Sequence, residues 1–439
     1  MDALVTPQPL TGEIPAIASK SYAHRLLIAA ALGGKPSTVR FAAASEDIDA
    51  TCRVLTAMGA KVTRLPGEGA TVVPMPSNAA DRPLLPTLDC GESGTTLRYI
   101  LPVVAALGRG AVFLGHGRLP SRPLEPLSGE LKRHGIVLEG EGSMPLTLKG
   151  ALKPGAYSLP GSVSSQFIGG LLFALSLLPG VSTLAVTEKF ESAAYVRMTL
   201  EVLENSGVEI SEAAGPEGLP VWTVTGRGTL AAPEDATVEG DWSNAAFWLA
   251  AGAIAGSENP EGIRMTGLNA KSLQGDRGVL EILERFGARI EVTDDAILAA
   301  PGPNGLKGFT INAAQIPDLV PILAVVAAAS EGVTRFTHAE RLRIKESDRL
   351  KTTSALLAAL GVPYVELRDE LVVHGVGSTK NFRGSRVSGF GDHRIVMAAA
   401  VAAAFGSEPL LIEGAQASAK SYPKFFEDFR QLGGSAKEV

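Results

Sequence analysis

Two kinds of helical pattern alternate along the chain. The first is short and amphipathic, and each copy closes on a glycine that an apolar strand-like run follows. Leu131-Lys132-Arg133-His134-Gly135-Ile136-Val137 is one copy and Leu283-Glu284-Arg285-Phe286-Gly287-Ala288-Arg289-Ile290 another. The closing glycines are Gly59, Gly135, Gly207, Gly287, Gly361 and Gly433. Glycine there suits a left-handed residue just past a helix end, which other residues reach only against a Cβ clash. The spacing of about 75 residues means that six repeats fill the chain.

The second pattern precedes each of these helices: a strand end, a small polar turn, then a helix of Ala and Leu that is apolar nearly all round. Its copies span 14–33, 88–108, 159–180, 238–256, 316–332 and 387–406. A helix without a polar face belongs inside a core. Each repeat therefore carries one buried and one amphipathic helix with strands between them, an α/β class with three repeats per domain. The sixth repeat ends soon after its glycine, whereas the others run on into strand-like sequence such as 288–300. The segment before Ile14 is expected to supply the missing strand. This makes domain 1 residues 14–229 and domain 2 residues 1–13 with 230–439, the chain crossing near 12–14 and 229–237.

Composition narrows the classes. At 439 residues with 45% hydrophobic positions and 49 glycines, the chain is long enough for two packed domains. The net charge of −6 argues against nucleic acid as a partner. No apolar run reaches the roughly 20 residues of a membrane span, and the start lacks the basic and apolar regions of a signal peptide. A cytoplasmic monomer is the expectation. The two cysteines, Cys52 and Cys90, form no CxxC, and the histidines form no metal pattern. Cys90 reads as a buried thiol.

Against this background the stretch 341–350 stands out, with Arg341, Arg343, Lys345 and Arg349 beside Glu346, Ser347 and Asp348. Such charge density needs an anionic partner or an internal network. Closed into one helical turn, it would put Lys345, Glu346 and Arg349 on one face. The polar turns that open the apolar helices add to it. Ser19-Lys20-Ser21 with Arg25, Gly91-Glu92-Ser93-Gly94 with Arg98, Gly161 to Gln166, Asp318, and Asp392-His393-Arg394 all sit at helix starts, where unpaired N–H groups attract anions. Asp241-Trp242-Ser243-Asn244 reads as a structural cap. Ser, Asp and Asn are ordinary caps, but Lys20, Arg25, Arg394 and Lys420 are poor ones, and cations there make sense with an anion between them.

These residues resemble the enolpyruvyl transferase family. The match runs in order through Ser19-Lys20-Ser21 with His24-Arg25, Ser93-Gly94-Thr95-Thr96 with Arg98, Ser121-Arg122-Pro123, and Val163-Ser164-Ser165-Gln166. It continues through Arg343 to Arg349, Asp392-His393-Arg394, and Lys420 in Ala419-Lys420-Ser421-Tyr422-Pro423. The resemblance implies two domains, each of three βαβαββ units with buried parallel helices, and an active site in the cleft between them. It implies transfer of the enolpyruvyl group of phosphoenolpyruvate to the 5-hydroxyl of shikimate 3-phosphate, with no metal and no organic cofactor.

By position, the resemblance gives Lys20, Gly94, Arg122, Gln166, Arg349, Arg394 and Lys420 to phosphoenolpyruvate. Lys20, Ser21, Arg25, Ser164, Ser165, Gln166, Ser192, Tyr195, Asp318 and Lys345 fall to shikimate 3-phosphate. Asp318 would take the hydroxyl proton, and Glu346, assisted by Lys20, would handle the proton at C3. Glu92 stands where an Asn is common, and Ile17-Ala18 where Pro-Gly is. The alternative acceptor within the family is UDP-N-acetylglucosamine, whose enzymes typically carry Lys-Asn at the Lys20-Ser21 position and a Cys in the loop at 119–123. Neither is present here.

Overall fold

The repeat glycines set the local geometry. Gly59, Gly135, Gly207, Gly287, Gly361 and Gly433 have φ of 109°, 87°, 76°, 111°, 72° and 93°, left-handed values at which any side chain would be strained. The computed structural model describes residues 1–42, 45–255, 260–384 and 386–439. Its α-helices are α1 (Lys20–Ala31), α2 (Glu46–Ala57), α3 (Gly94–Leu107), α4 (Leu127–Arg133), α5 (Ser165–Leu177) and α6 (Ala193–Asn205). They continue as α7 (Trp242–Ile254), α8 (Val279–Phe286), α9 (Val320–Ala329), α10 (Arg349–Ala359), α11 (His393–Phe405) and α12 (Phe425–Gln431). The odd-numbered helices are the apolar ones: every residue of α9 and α11 is buried. The even-numbered ones bury a single face, as α8 does with Val279, Leu280, Leu283 and Phe286. Gly256, the expected end of the fourth apolar helix, lies outside the described residues.

Each repeat builds a four-stranded sheet. In the third, Ala156–Leu159 runs parallel to Gly180–Val186 across α5, which supplies the crossover that a parallel pair requires. Pro220–Gly226 and Glu209–Ala214 then add antiparallel, giving the order βαβαββ. The sixth sheet is completed by β1 (Ala3–Thr6), antiparallel both to Leu410–Glu413 and to Ser435–Glu438. The N-terminal strand thus fills the place that the short sixth repeat leaves open.

Two strands are exchanged between repeats. The parallel partner of Ser37–Arg40 in the first repeat is Asp235–Thr237, whereas β2 (Gly12–Pro15) pairs parallel with Ile263–Thr266 in the fourth. The chain accordingly divides into two compact units, Met1–Ser19 with Glu239–Val439, and Lys20–Val238. The changeovers lie at 19/20 and 238/239, a few residues beyond the expected 13/14 and 229/230, because β2 stays with the unit of β1 and Asp235–Thr237 with the other. In the unit of Lys20–Val238, α5 packs on α3 and α6, and α1 on α2 and α6. In the other unit α7, α9 and α11 pack on one another.

The cationic stretch does not close into one helical turn. A 3-10 helix covers Glu340–Ile344, Lys345 is extended, and α10 starts afresh at Arg349 with Asp348 as its cap. The Asp348 carboxylate accepts from the Lys351 N–H at 3.2 Å and from the Arg343 guanidinium at 3.0 Å. A side chain so engaged ends the first helix and begins the next. Lys345, Glu346 and Arg349 therefore converge through a backbone break and not along a helix face.

Candidate active site

In the unit containing β1, Asp318 is the hub. It sits in a 3-10 turn, Pro317–Leu319, ahead of α9. Arg349 Nη1 lies 2.5 Å from its Oδ1, Lys345 Nζ 3.2 Å from the same oxygen, and Arg394 Nη2 3.6 Å from Oδ2. Burial works against its charge, but Lys345, Arg394 and Arg349 together hold the carboxyl well below the usual range. Burial also pushes the Lys345 ammonium down to about 8 despite Asp318. Glu346 joins the cluster through Arg349, whose Nη2 donates to its Oε2 at 2.6 Å.

Arg349 is held from behind. Its Nε donates to Asp392 Oδ2 at 2.8 Å, and Ser347 Oγ donates to the same oxygen at 2.9 Å. The other oxygen of Asp392 caps α11 by accepting from the Arg394 N–H at 3.0 Å. Asp392 is fully buried, and Arg349, with His393 behind it, outweighs desolvation and lowers its pKa. One carboxylate thereby fixes two cations: Arg349 through its guanidinium and Arg394 through its backbone. Lys420, at the end of the 3-10 helix Ala415–Lys420, donates to the Gly391 carbonyl at 2.9 Å.

In the unit Lys20–Val238, the expected residues again gather at helix starts. Lys20 opens α1 and pairs with Asp47 of α2 at 2.9 Å. Ser93 caps α3 by accepting from the Thr96 N–H, and Ser164 caps α5. A Cβ on Gly94 would stand 2.6 Å from Arg122 Nη1, so the missing side chain is what lets that guanidinium lie against the helix start. Gln166 is fixed at both ends of its amide, donating to Thr95 Oγ1 at 2.7 Å and accepting from Arg98 Nη1 at 2.8 Å.

Arg25 is held on three sides by the protein itself. It is 2% exposed. Its Nε donates to Thr199 Oγ1 at 2.8 Å, Nη1 to the Ser21 carbonyl at 2.6 Å and Nη2 to the Tyr195 carbonyl at 2.6 Å. It therefore fixes the backbones of two other expected residues. Beside them Ser192, buried, has φ 53° and ψ 38° as the residue before α6. A left-handed serine is strained, and strain of this kind collects at working sites.

Several contributors were not singled out from sequence. Asp392 was visible in the Asp-His-Arg motif, but its link to Arg349 was not. Asp47 and Thr199 look like ordinary helix residues, and nothing local marks them, whereas Ser347 stands in the charged stretch with no sign of its link to Asp392. Arg98 stands in the Ser93-Gly94-Thr95-Thr96 motif, which gives no sign of the amide partner that it finds in Gln166.

The two-unit, six-sheet architecture is shared with solved structures. It superposes on EPSP synthase from Acinetobacter baumannii with a TM-score of 0.79 and 23% identity, covering 100% of each chain. It superposes on the enolpyruvyl transferase NikO from Streptomyces tendae with a TM-score of 0.76 and 20% identity, covering 99% and 98%. The fold is thus that of the enolpyruvyl transferases. The family model for EPSP synthase (3-phosphoshikimate 1-carboxyvinyltransferase) matches residues 4–429. The chain is 40% identical to the 3-phosphoshikimate 1-carboxyvinyltransferase of Clostridium kluyveri over 99% of this chain and 98% of that one. It is 39% identical to the one from Clostridium acetobutylicum, with the same coverage. The chain belongs to the EPSP synthase family.

Proposed function

We propose that the chain transfers the enolpyruvyl group of phosphoenolpyruvate to the 5-hydroxyl of shikimate 3-phosphate, releasing phosphate, a step of the shikimate pathway to aromatic amino acids. The observation that carries this reading is the Asp318 cluster, a half-buried carboxylate ringed by Lys345, Arg349 and Arg394 with Glu346 on the same guanidinium. Both substrates carry a phosphate and a carboxylate, which such cations bind with charge-assisted hydrogen bonds.

Phosphoenolpyruvate is assigned to Lys20, Gly94, Arg122, Gln166, Arg349, Arg394 and Lys420. Shikimate 3-phosphate is assigned to Lys20, Ser21, Arg25, Ser164, Ser165, Gln166, Ser192, Tyr195, Asp318 and Lys345. In the addition step C3 takes a proton from Glu346, assisted by Lys20. The acceptor hydroxyl gives its proton to Asp318 and forms the new C–O bond at C2, and the double bond is consumed. In the elimination step phosphate leaves with the electrons of its C–O bond and takes up the proton held on Asp318. C3 then returns a proton to Glu346 as the double bond reforms.

A carboxylate held as low as Asp318 is a poor base. Anionic substrates offset the charges of Lys345, Arg394 and Arg349, and this raises Asp318 toward a range in which it can carry a proton. The chain is taken to work as a cytoplasmic monomer on small molecules. None of its described helices is long and apolar enough to cross a membrane.

The test is phosphate release from phosphoenolpyruvate with shikimate 3-phosphate and, in parallel, with UDP-N-acetylglucosamine as acceptor. Release with the first acceptor alone is expected. Release only with the second would keep the fold and overturn the acceptor.

A further inference from the structure

Lys20 and Gly94 lie on different helices, and those helices are joined by four fully buried side chains. His24 of α1 has Nδ1 2.7 Å from Thr51 Oγ1 of α2. Thr51 Oγ1 is 2.7 Å from Thr96 Oγ1 of α3, and Thr96 Oγ1 donates to Ser93 Oγ at 2.8 Å. Each of the four is 0% exposed. Ser93 is also the residue that caps α3 immediately before Gly94.

The order of protons along this chain follows from its last link. A hydroxyl has one hydrogen, and that of Thr96 goes to Ser93. Thr51 must then donate to Thr96, which leaves Thr51 only lone pairs to offer His24. His24 is therefore the donor, a neutral imidazole with its hydrogen on Nδ1. Its Nε2 is buried and makes no hydrogen bond among the described residues. Burial, followed by the charges of Lys20 and Arg25, keeps the ring unprotonated. An apolar side chain would fill the same space without burying a lone pair, so the imidazole needs a reason to be there.

We propose that His24 is a positioning residue for phosphoenolpyruvate: as the terminal donor it sets the direction of the His24–Thr51–Thr96–Ser93 chain and so fixes the Gly94 helix start relative to Lys20. The inference rests on the assignment of Lys20 and Gly94 made above. It deepens that assignment by adding a residue which touches no substrate.

The experiment compares Thr51→Val, Thr51→Ser, His24→Leu and the double variant Thr51→Val/His24→Leu with the wild type. It is joined to ring-nitrogen NMR of His24 in the unliganded protein. Thr51→Val and His24→Leu are each expected to raise KM for phosphoenolpyruvate by about tenfold while KM for shikimate 3-phosphate stays within about twofold. Thr51→Ser should restore the wild-type value, and the double variant should be no worse than either single one, because the two residues act through one chain. The spectrum should show hydrogen on Nδ1. Equal effects on both substrates, additive losses in the double variant, no rescue by serine, or hydrogen on Nε2 would each overturn the inference. A wild type that releases no phosphate would sink the substrate assignment instead, and the nitrogen spectrum would then decide the proton order alone.

Discussion

Arg349 and Asp392 form a buried ion pair, with Nε 2.8 Å from Oδ2 and side-chain exposures of 2% and 0%. Two charges removed from water stabilise a fold only when both remain paired and hydrogen-bonded. Here Asp392 also accepts from Ser347 and from the Arg394 N–H, so its loss strands more than one partner. Asp392→Asn removes the charge at constant volume. It is expected to cost about 3–5 kcal/mol of stability and to lower kcat/KM for phosphoenolpyruvate by about 100-fold through misplacement of Arg349 and Arg394. Thermal melts and steady-state kinetics check the two effects separately. Unchanged kinetics in a folded variant would remove Asp392 from the site's support.

Lys345 predicts a pH dependence. Its pKa falls to about 8 in the fold, below that of the unfolded chain, so folding favours the neutral amine. The sign follows directly: the unfolded chain binds more protons in the window from about 8 up to the ordinary lysine value, and Lys345's contribution to stability rises with pH there. Anion binding runs the other way, because it needs the ammonium. In the unliganded enzyme, kcat/KM for shikimate 3-phosphate should fall by about tenfold per pH unit above about pH 8. Lys345→Arg, which cannot lose its charge in this range, should move that break upward. A pH profile in which both forms break together would assign the titration to another group.

Gly94 predicts an effect on binding. A methyl group there would stand 2.6 Å from Arg122 Nη1, so Gly94→Ala must push the guanidinium aside. The backbone φ of Gly94 lies outside the left-handed range, so strain is not the cause. KM for phosphoenolpyruvate should rise, and glyphosate, which competes for that site in this family, should inhibit less. A rise of about tenfold in each corresponds to one displaced charge-assisted contact. Equal glyphosate inhibition of the two proteins would separate Arg122 from the inhibitor.

Glu346 and Asp318 predict a split between binding and turnover. Glu346→Gln keeps the hydrogen bond to Arg349 but cannot exchange a proton at C3. It should preserve both KM values within a few-fold and lower kcat by about 100- to 10,000-fold, the range for loss of general acid–base catalysis. Asp318→Asn should lower kcat similarly and also loosen Lys345. Pre-steady-state binding with single-turnover rates would tell the two apart. A Glu346→Gln enzyme of normal kcat would take Glu346 out of proton transfer.

The fold was legible because its punctuation is chemical. Glycine at 59, 135, 207, 287, 361 and 433 marks a left-handed residue that few others accept, and apolar helices with no polar face can only be core. The missing strand of the sixth repeat was legible by counting, and β1 fills it. The exchange of β2 and Asp235–Thr237 between repeats was not. Four residues such as Gly-Glu-Ile-Pro carry no signal that tells one parallel partner from another. In the candidate site, the charge density at 341–350 was plain but its geometry was not, since Asp348 acts as a cap and breaks the helix where periodicity would continue it. Pairings between distant residues, such as Arg349 with Asp392 and Arg25 with Thr199, exist only once the chain has folded. Local pattern holds no trace of them.

Addition followed by elimination, with a proton given to C3 and then taken back, leaves a mark in deuterated water. The wild-type enzyme should turn over phosphoenolpyruvate and shikimate 3-phosphate to a product with deuterium in its enolpyruvyl methylene. The methyl carbon of the intermediate mixes one solvent hydrogen with the two original ones before losing any. Product formed at full rate with no deuterium at that carbon would contradict the account.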